Sequence, residues 1–182
     1  SKNIYKYSLS FNNNESIKSF EKESIRHFKD LEFTNIFDHT IVYSSALPSK
    51  FIPFIRSNFK NISIVGYGKS IEIFKQVGNP KNVVKKFKLD KFSGSHGIGH
   101  TRMATESAIT TEGSHPYSTG EDECLVHNGS LSNHNNLRRK LIKKGKVFNS
   151  SNDTEVAAGY ISQKISEKKS IKKTLSNCLN DL

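Results

Sequence analysis

Residues 97–156 read GIGHTRMATESAITTEGSHPYSTGEDECLVHNGSLSNHNNLRRKLIKKGKVFNSSNDTEV. Within this stretch Arg102, Thr105, His115, His127, Asn128 and Asp153 stand between short apolar runs, and all are side chains suited to chemistry. The local patterns predict a strand over 96–103 and then a long polar stretch over 104–122, broken by Gly113, Pro116 and Gly120. A connection of that length is functional or disordered more often than structural. A second strand is expected over 123–127, ending in Asn128-Gly129, a pair that by itself signals a hairpin turn. A helix over 133–144 stops at Gly145, and Asp153 precedes a further helix reaching about Lys164. At that position an aspartate is, on local grounds alone, an N-cap.

Moving outward, residues 3–11 alternate, with Tyr5, Tyr7, Leu9 and Phe11 on one face, which predicts a strand. The run Asn12-Asn13-Asn14 reads as a turn that caps a helix over 15–31, where Ile17, Phe20, Ile25 and Phe28 form one stripe. Residues 38–45 read as a strand. The stretch 47–59 is ambiguous, because Pro48 and Pro53 interrupt any long element. Two apolar runs, 62–65 and 71–74, flank Gly66-Tyr67-Gly68 and suggest a hairpin. Short helices are expected over 80–87 and 171–182. No internal repeat or domain boundary is visible, so 1–182 reads as one domain with mixed strands and helices, an antiparallel α+β architecture.

The chain has 182 residues, 34 % of them hydrophobic, and a mean hydropathy of −0.57. It has no apolar run of about 18 residues and no signal-peptide pattern. Two cysteines make no disulfide framework and fit a reducing, cytoplasmic setting. No CxxC or His-Cys cluster suggests a metal. The net charge of +11 invites a nucleic-acid reading. Against it, only 5 of the 28 basic residues are Arg, the side chain that grips bases and phosphates bidentately. Aromatics are not interleaved with the basic residues either.

The order GHTR-x-AT, HP, HNG, helix, DTEV closely resembles the glutamine-binding half of class II glutamine amidotransferases, the N-terminal-nucleophile enzymes that strip ammonia from glutamine. The resemblance is specific from Gly97 to about Ile161 and loose before that. It implies two antiparallel sheets sandwiched between helix layers. It also implies a division of labour among the residues. Arg102 would clamp the glutamine α-carboxylate through its planar fork of donors, and Asp153 would receive the α-ammonium. The Asn128 side chain and the Gly129 N–H would form the oxyanion hole. Thr105 and His115 would line the pocket. His127 has no such role and reads as structural. Glutamine is the implied ligand, with no cofactor in this domain. GHTRMATES, CLVHNGSLSNHN and NDTEVAAGY look most similar to the amidotransferase subunit of N-methylglutamate synthase. That points to a partner resembling the flavin-binding part of glutamate synthase, and to no nucleic-acid or membrane partner.

The chain also departs from the family pattern. Met103 stands where a Trp is common and Glu106 where a His is common. The family opens on Cys-Gly-Ile; this chain opens on Ser1-Lys2-Asn3. With the RGPDS-like stretch also missing, the expectation is a partial domain lacking its nucleophile segment. Cys124 alternates with Leu125 and should pack, and Cys178 falls in a distant helix. Three functions follow in order: a glutaminase half feeding ammonia to a synthase, a catalytically silent relative that binds an amino acid or serves as a structural subunit, and a basic nucleic-acid binder.

Overall fold

The computed structural model describes residues 3–13, 15–101 and 109–181. Strands β1 (Tyr5–Phe11), β2 (Glu32–Ile36), β3 (His39–Ser44) and β4 (Ile62–Gly68) form one antiparallel sheet in the order β2-β3-β1-β4. Helices α1 (Glu15–His27), α2 (Pro48–Asn58), α3 (Pro80–Phe87), α4 (His134–Lys143), α5 (Asp153–Ser166) and α6 (Ile171–Asp181) complete the described elements, with a 3-10 turn at Leu89–Lys91. The architecture is the expected mixture of helices and antiparallel sheet.

The alternation in β1 builds the core. Tyr7 pairs with Val42 of β3 and Tyr67 of β4. Tyr7, Leu9 and Phe11 bury their apolar face against Phe20 of α1 and Phe51 and Ile55 of α2. The rings interlock at 4.6 Å for Tyr7–Phe51 and 5.6 Å for Phe11–Phe20. The opposite face of β1 carries Ser8 and Ser10, which are also buried. It is covered by irregular chain: the Ile73 N–H donates to Ser8 Oγ (3.2 Å). That second layer, 69–79 with 110–122, connects the sheet to the candidate site. A smaller core of Leu141, Val156 and Tyr160 joins α4 to α5, with Leu137, Phe148 and Cys178 packed around it.

Several local expectations need correction. The 62–74 hairpin is absent: β4 runs through to Gly68, and 71–74 form no strand. The Asp122 carboxylate takes the N–H groups of Lys69, Ser70 and Ile71 at 2.8–3.0 Å, the donors that a return strand would have used. Residues 47–59 resolve into α2, with Pro48 in its first turn and Pro53 inside it. Proline there forgoes one ladder bond, which the burial of Phe51 and Ile55 offsets. The first helix ends at His27, not at Leu31, and the unanticipated β2 follows as a short edge strand on β3. Residues 96–101 and 123–127 carry no strand. Among the described residues neither has a neighbouring ladder; there only Leu125 pairs, through two bonds with Tyr117 (2.8 and 2.9 Å).

Candidate functional site

The site gathers at the N-terminus of α5. Asn152 caps this helix, its side chain accepting from the Thr154 N–H at 2.8 Å. Asp153 is therefore released from the capping role that local sequence suggests. Its Oδ2 instead accepts the Leu131 N–H (2.8 Å) and its Oδ1 accepts from Thr154 Oγ1 (3.3 Å). A carboxylate in the first turn of a helix is favoured by the helix dipole. The loop before α5 is clamped from both sides. Glu155 accepts from the Asn149 N–H, the Ser150 N–H and Ser150 Oγ, each at 2.8 Å. Arg138 of α4 donates to the carbonyls of Ser150 (2.7 Å) and Asn152 (3.0 Å) and lies over the Phe148 ring.

Thr154 is the hub. It is 1 % exposed. Its hydroxyl meets His115 Nε2 at 3.1 Å and His127 Nδ1 at 3.4 Å as well as Asp153. His115 is buried, with the His100 ring stacked on it at 4.2 Å and the Tyr117 ring edge-on at 5.0 Å. The structure thus joins His115 and Asp153 through a threonine to which the sequence motif assigns no role, and it brings in His127, whose expected part is structural. The only sequence sign of Thr154 is its place inside the DTEV motif.

Asn128 and Gly129 follow His127 on an exposed, irregular stretch. Neither has a positive φ, and no paired strands flank them, so the hairpin reading of Asn-Gly does not hold. A Cβ at Gly129 would sit 2.7 Å from His127 Nε2, so a side chain there would make the His127 ring shift. Arg102 and Thr105 lie outside the described residues. Among the described residues no group of three or more His, Cys, Asp or Glu is arranged to hold a metal ion, and no helix is long and apolar enough to cross a membrane. Both cysteines are free and half-buried, and burial pushes each thiol pKa up.

A buried cation shares the Tyr117 ring with His115. Lys75, 7 % exposed, donates to the Glu112 carbonyl at 3.1 Å and sits 4.4 Å from the centre of the Tyr117 ring. Burial pulls its pKa down to about 8, against the opposing pull of Glu155 and Glu112.

Residues 90–169 match the family described as the glutamine amidotransferase domain. The chain is 58 % identical over 122 residues to the glutamine amidotransferase-like protein GlxB of Rhizobium meliloti, covering 67 % of this chain and 40 % of that protein. Over 125 residues it is 36 % identical to a glutamine–fructose-6-phosphate aminotransferase (isomerizing) of Methanococcus maripaludis, covering 68 % of this chain and 21 % of the relative. A protein of the same name from Thermococcus kodakarensis is 35 % identical over 124 residues, covering 65 % of this chain and 20 % of the relative. The chain thus spans from about a fifth to two fifths of the length of these relatives.

Proposed function

We propose that the protein is the glutamine-hydrolysing part of an amidotransferase. One observation carries this: the segment that matches the amidotransferase domain is the segment that folds His115, His127, Asp153 and Thr154 into one hydrogen-bonded cluster. In the proposed reaction a thiolate attacks the side-chain carbonyl of glutamine. The tetrahedral oxyanion collapses, and the amide nitrogen gains a proton and leaves as ammonia. Water then hydrolyses the thioester to glutamate. Arg102 holds the α-carboxylate and Asp153 the α-ammonium. The Asn128 side chain and the Gly129 N–H stabilise the oxyanion, while Thr105 and His115 shape the pocket. A preorganised donor of this kind contributes roughly 3 kcal/mol to the transition state.

The released ammonia would pass to a synthase partner in the cytoplasm, of the glutamate synthase or N-methylglutamate synthase type, with a flavin-binding portion. The whole domain would be the two-sheet sandwich of the N-terminal-nucleophile enzymes. The test is to incubate the whole protein with amide-labelled glutamine and follow ammonium and glutamate. Their formation in equal amounts is the expected result. A protein that neither hydrolyses nor binds glutamine refutes the proposal.

The second reading is a silent relative that binds the amino acid without turnover. Cys124 and Cys178 do not bear on the choice between the two readings: both are half-buried, burial raises both thiol pKa values, and neither is the thiolate of the proposed reaction. Glutamine binding by calorimetry with no ammonium release selects this reading.

A further inference from the structure

Lys75 is a buried cation that no step of the proposed reaction uses. A lysine ammonium is rarely buried unless it is paired, and this one is held by groups from two directions. From the polar stretch, the Glu112 carbonyl accepts its hydrogen bond at 3.1 Å and the Tyr117 ring lies 4.4 Å beneath it. From α5 the Glu155 carboxylate attracts it, as does that of Glu112. The Glu155 oxygens are already occupied by the Asn149 and Ser150 donors, and the Glu112 carboxylate accepts from Ser63 Oγ of β4 at 3.1 Å. The adjoining cavity, lined by Ser63, Lys75, Glu112, Tyr117, Asn149 and Glu155, measures about 20 Å³. That is room for roughly one water and too little for a metabolite. The place is therefore a joint and not a binding site.

The joint leads to the candidate site by a short series of contacts. The Tyr117 hydroxyl donates to the Gly113 carbonyl at 2.7 Å, closing the turn that carries His115. The Tyr117 ring meets the His115 ring edge-on at 5.0 Å, and His115 Nε2 meets Thr154 Oγ1 at 3.1 Å. We propose that Lys75 is a positioning residue for His115: its ammonium pins the 112–117 turn to the 69–79 segment that covers the sheet and so fixes where the His115 ring faces Thr154. As it bears on glutamine, this rests on the glutaminase reading; as it bears on His115, it does not.

The variants are Lys75→Met, which keeps length and removes charge, and Lys75→Gln, which keeps a donor toward Glu112 and removes charge. Both are made in the whole protein. Histidine ring resonances by nuclear magnetic resonance, melting temperature and the kinetics of glutamine hydrolysis are compared with the parent. The expected result is a shifted His115 ring signal in both variants, smaller in Gln. KM for glutamine rises roughly tenfold in Met, the scale of one desolvated cation–ring contact, with kcat within about twofold of the parent. A structural role alone would lower the melting temperature and leave the His115 signal and KM unmoved in the folded fraction, and that outcome overturns the proposal. If Lys75→Met does not fold, the His115 signal of Lys75→Gln decides alone. If the parent protein does not hydrolyse glutamine, the functional reading fails while the ring signals still decide the role of Lys75.

Discussion

His115 Nε2 and Thr154 Oγ1 lie 3.1 Å apart across 39 residues of chain. This bond links the polar stretch to the first turn of α5, and Thr154 also reaches His127 and Asp153. Thr154→Val keeps the shape and removes the hydroxyl. A buried imidazole that loses a partner costs on the order of 1–3 kcal/mol. The expected variant is less stable and, in a glutaminase, has a raised KM for glutamine, because Asp153 and His115 lose their shared anchor. An unchanged KM in the folded variant would remove this cluster from the substrate pocket.

For Asn128 the geometry sharpens what the sequence left open. A hairpin asparagine would sit at positive φ between paired strands; Asn128 does neither. Asn128→Ala should therefore change stability by no more than about 0.5 kcal/mol, the usual scale for an exposed position. If its amide holds the oxyanion, kcat falls by about 10²–10³ with a smaller change in KM. A variant with normal kcat would dismiss Asn128 from the oxyanion hole, whatever its melting temperature.

The strongly patterned elements were legible in the chain because their periodicity reflects burial. β1 alternates because Tyr7, Leu9 and Phe11 face α1 and α2, and α5 shows its apolar run because it packs on α4 and α6. What failed was decided by single polar contacts. The alternation of Ile71 and Ile73 imitates a strand, yet Asp122, about fifty residues on, captures the N–H groups of the chain just before and at its start. No local pattern contains that information. Pro53 argued against a helix, but tertiary burial of Phe51 and Ile55 overrode it. The edge strand β2 is too short and exposed to show a period. Within the candidate site the motif letters pointed to His115 and Asp153. Thr154 looked like any first-turn residue, and Lys75 was one lysine in a lysine-rich sequence. Its distinction is burial, which arises only when the second layer closes over it.

Elsewhere the sheet contains a group that should respond to mild acid. His39 of β3 is 2 % exposed, with its Nδ1 3.0 Å from Asp38 Oδ1 and its ring packed on Phe87 and Phe74. Burial lowers its pKa, and the Asp38 carboxylate only partly opposes this. A folded-state pKa below the unfolded value of about 6.5 means that the unfolded chain binds the proton more readily. Stability is therefore full above about pH 6.5 and is lost as pH falls toward and through the folded pKa. Melting temperature measured from pH 7.5 to 5 should drop more steeply for the parent than for His39→Gln. Equal slopes would show that His39 does not contribute to acid sensitivity.

Lys75 makes the opposite end of the pH scale informative. Its pKa of about 8 lies below the ordinary lysine value of about 10.4. Between these values the unfolded chain carries the proton and the folded protein has released it, so unfolding takes up a proton and stability rises with pH. Below about pH 8 both states are charged, and the full cost of burying the ammonium opposes folding. That cost is on the order of 3 kcal/mol at most, taking 1.36 kcal/mol per pKa unit. The Glu112 carbonyl and the Tyr117 ring hold the ammonium in place, but they do not restore its hydration. Relative to a protein without this ammonium, the parent should thus gain stability from pH 8 toward pH 10; Cys124 and Cys178, whose raised thiol pKa values cost stability over the same range, and Lys146, whose pKa burial lowers, act in both proteins and cancel in the difference. Lys75→Met should lack this rise and at pH 7 be at least as stable as the parent, as expected when a buried charge is replaced by an apolar group of similar size. Denaturant midpoints of the two proteins at pH 7, 8, 9 and 10 measure this directly. A parent curve that is flat or falling from pH 8 to 10, with the variant parallel to it, would mean that Lys75 is solvated in the folded protein. The joint behind His115 would then lose its physical basis.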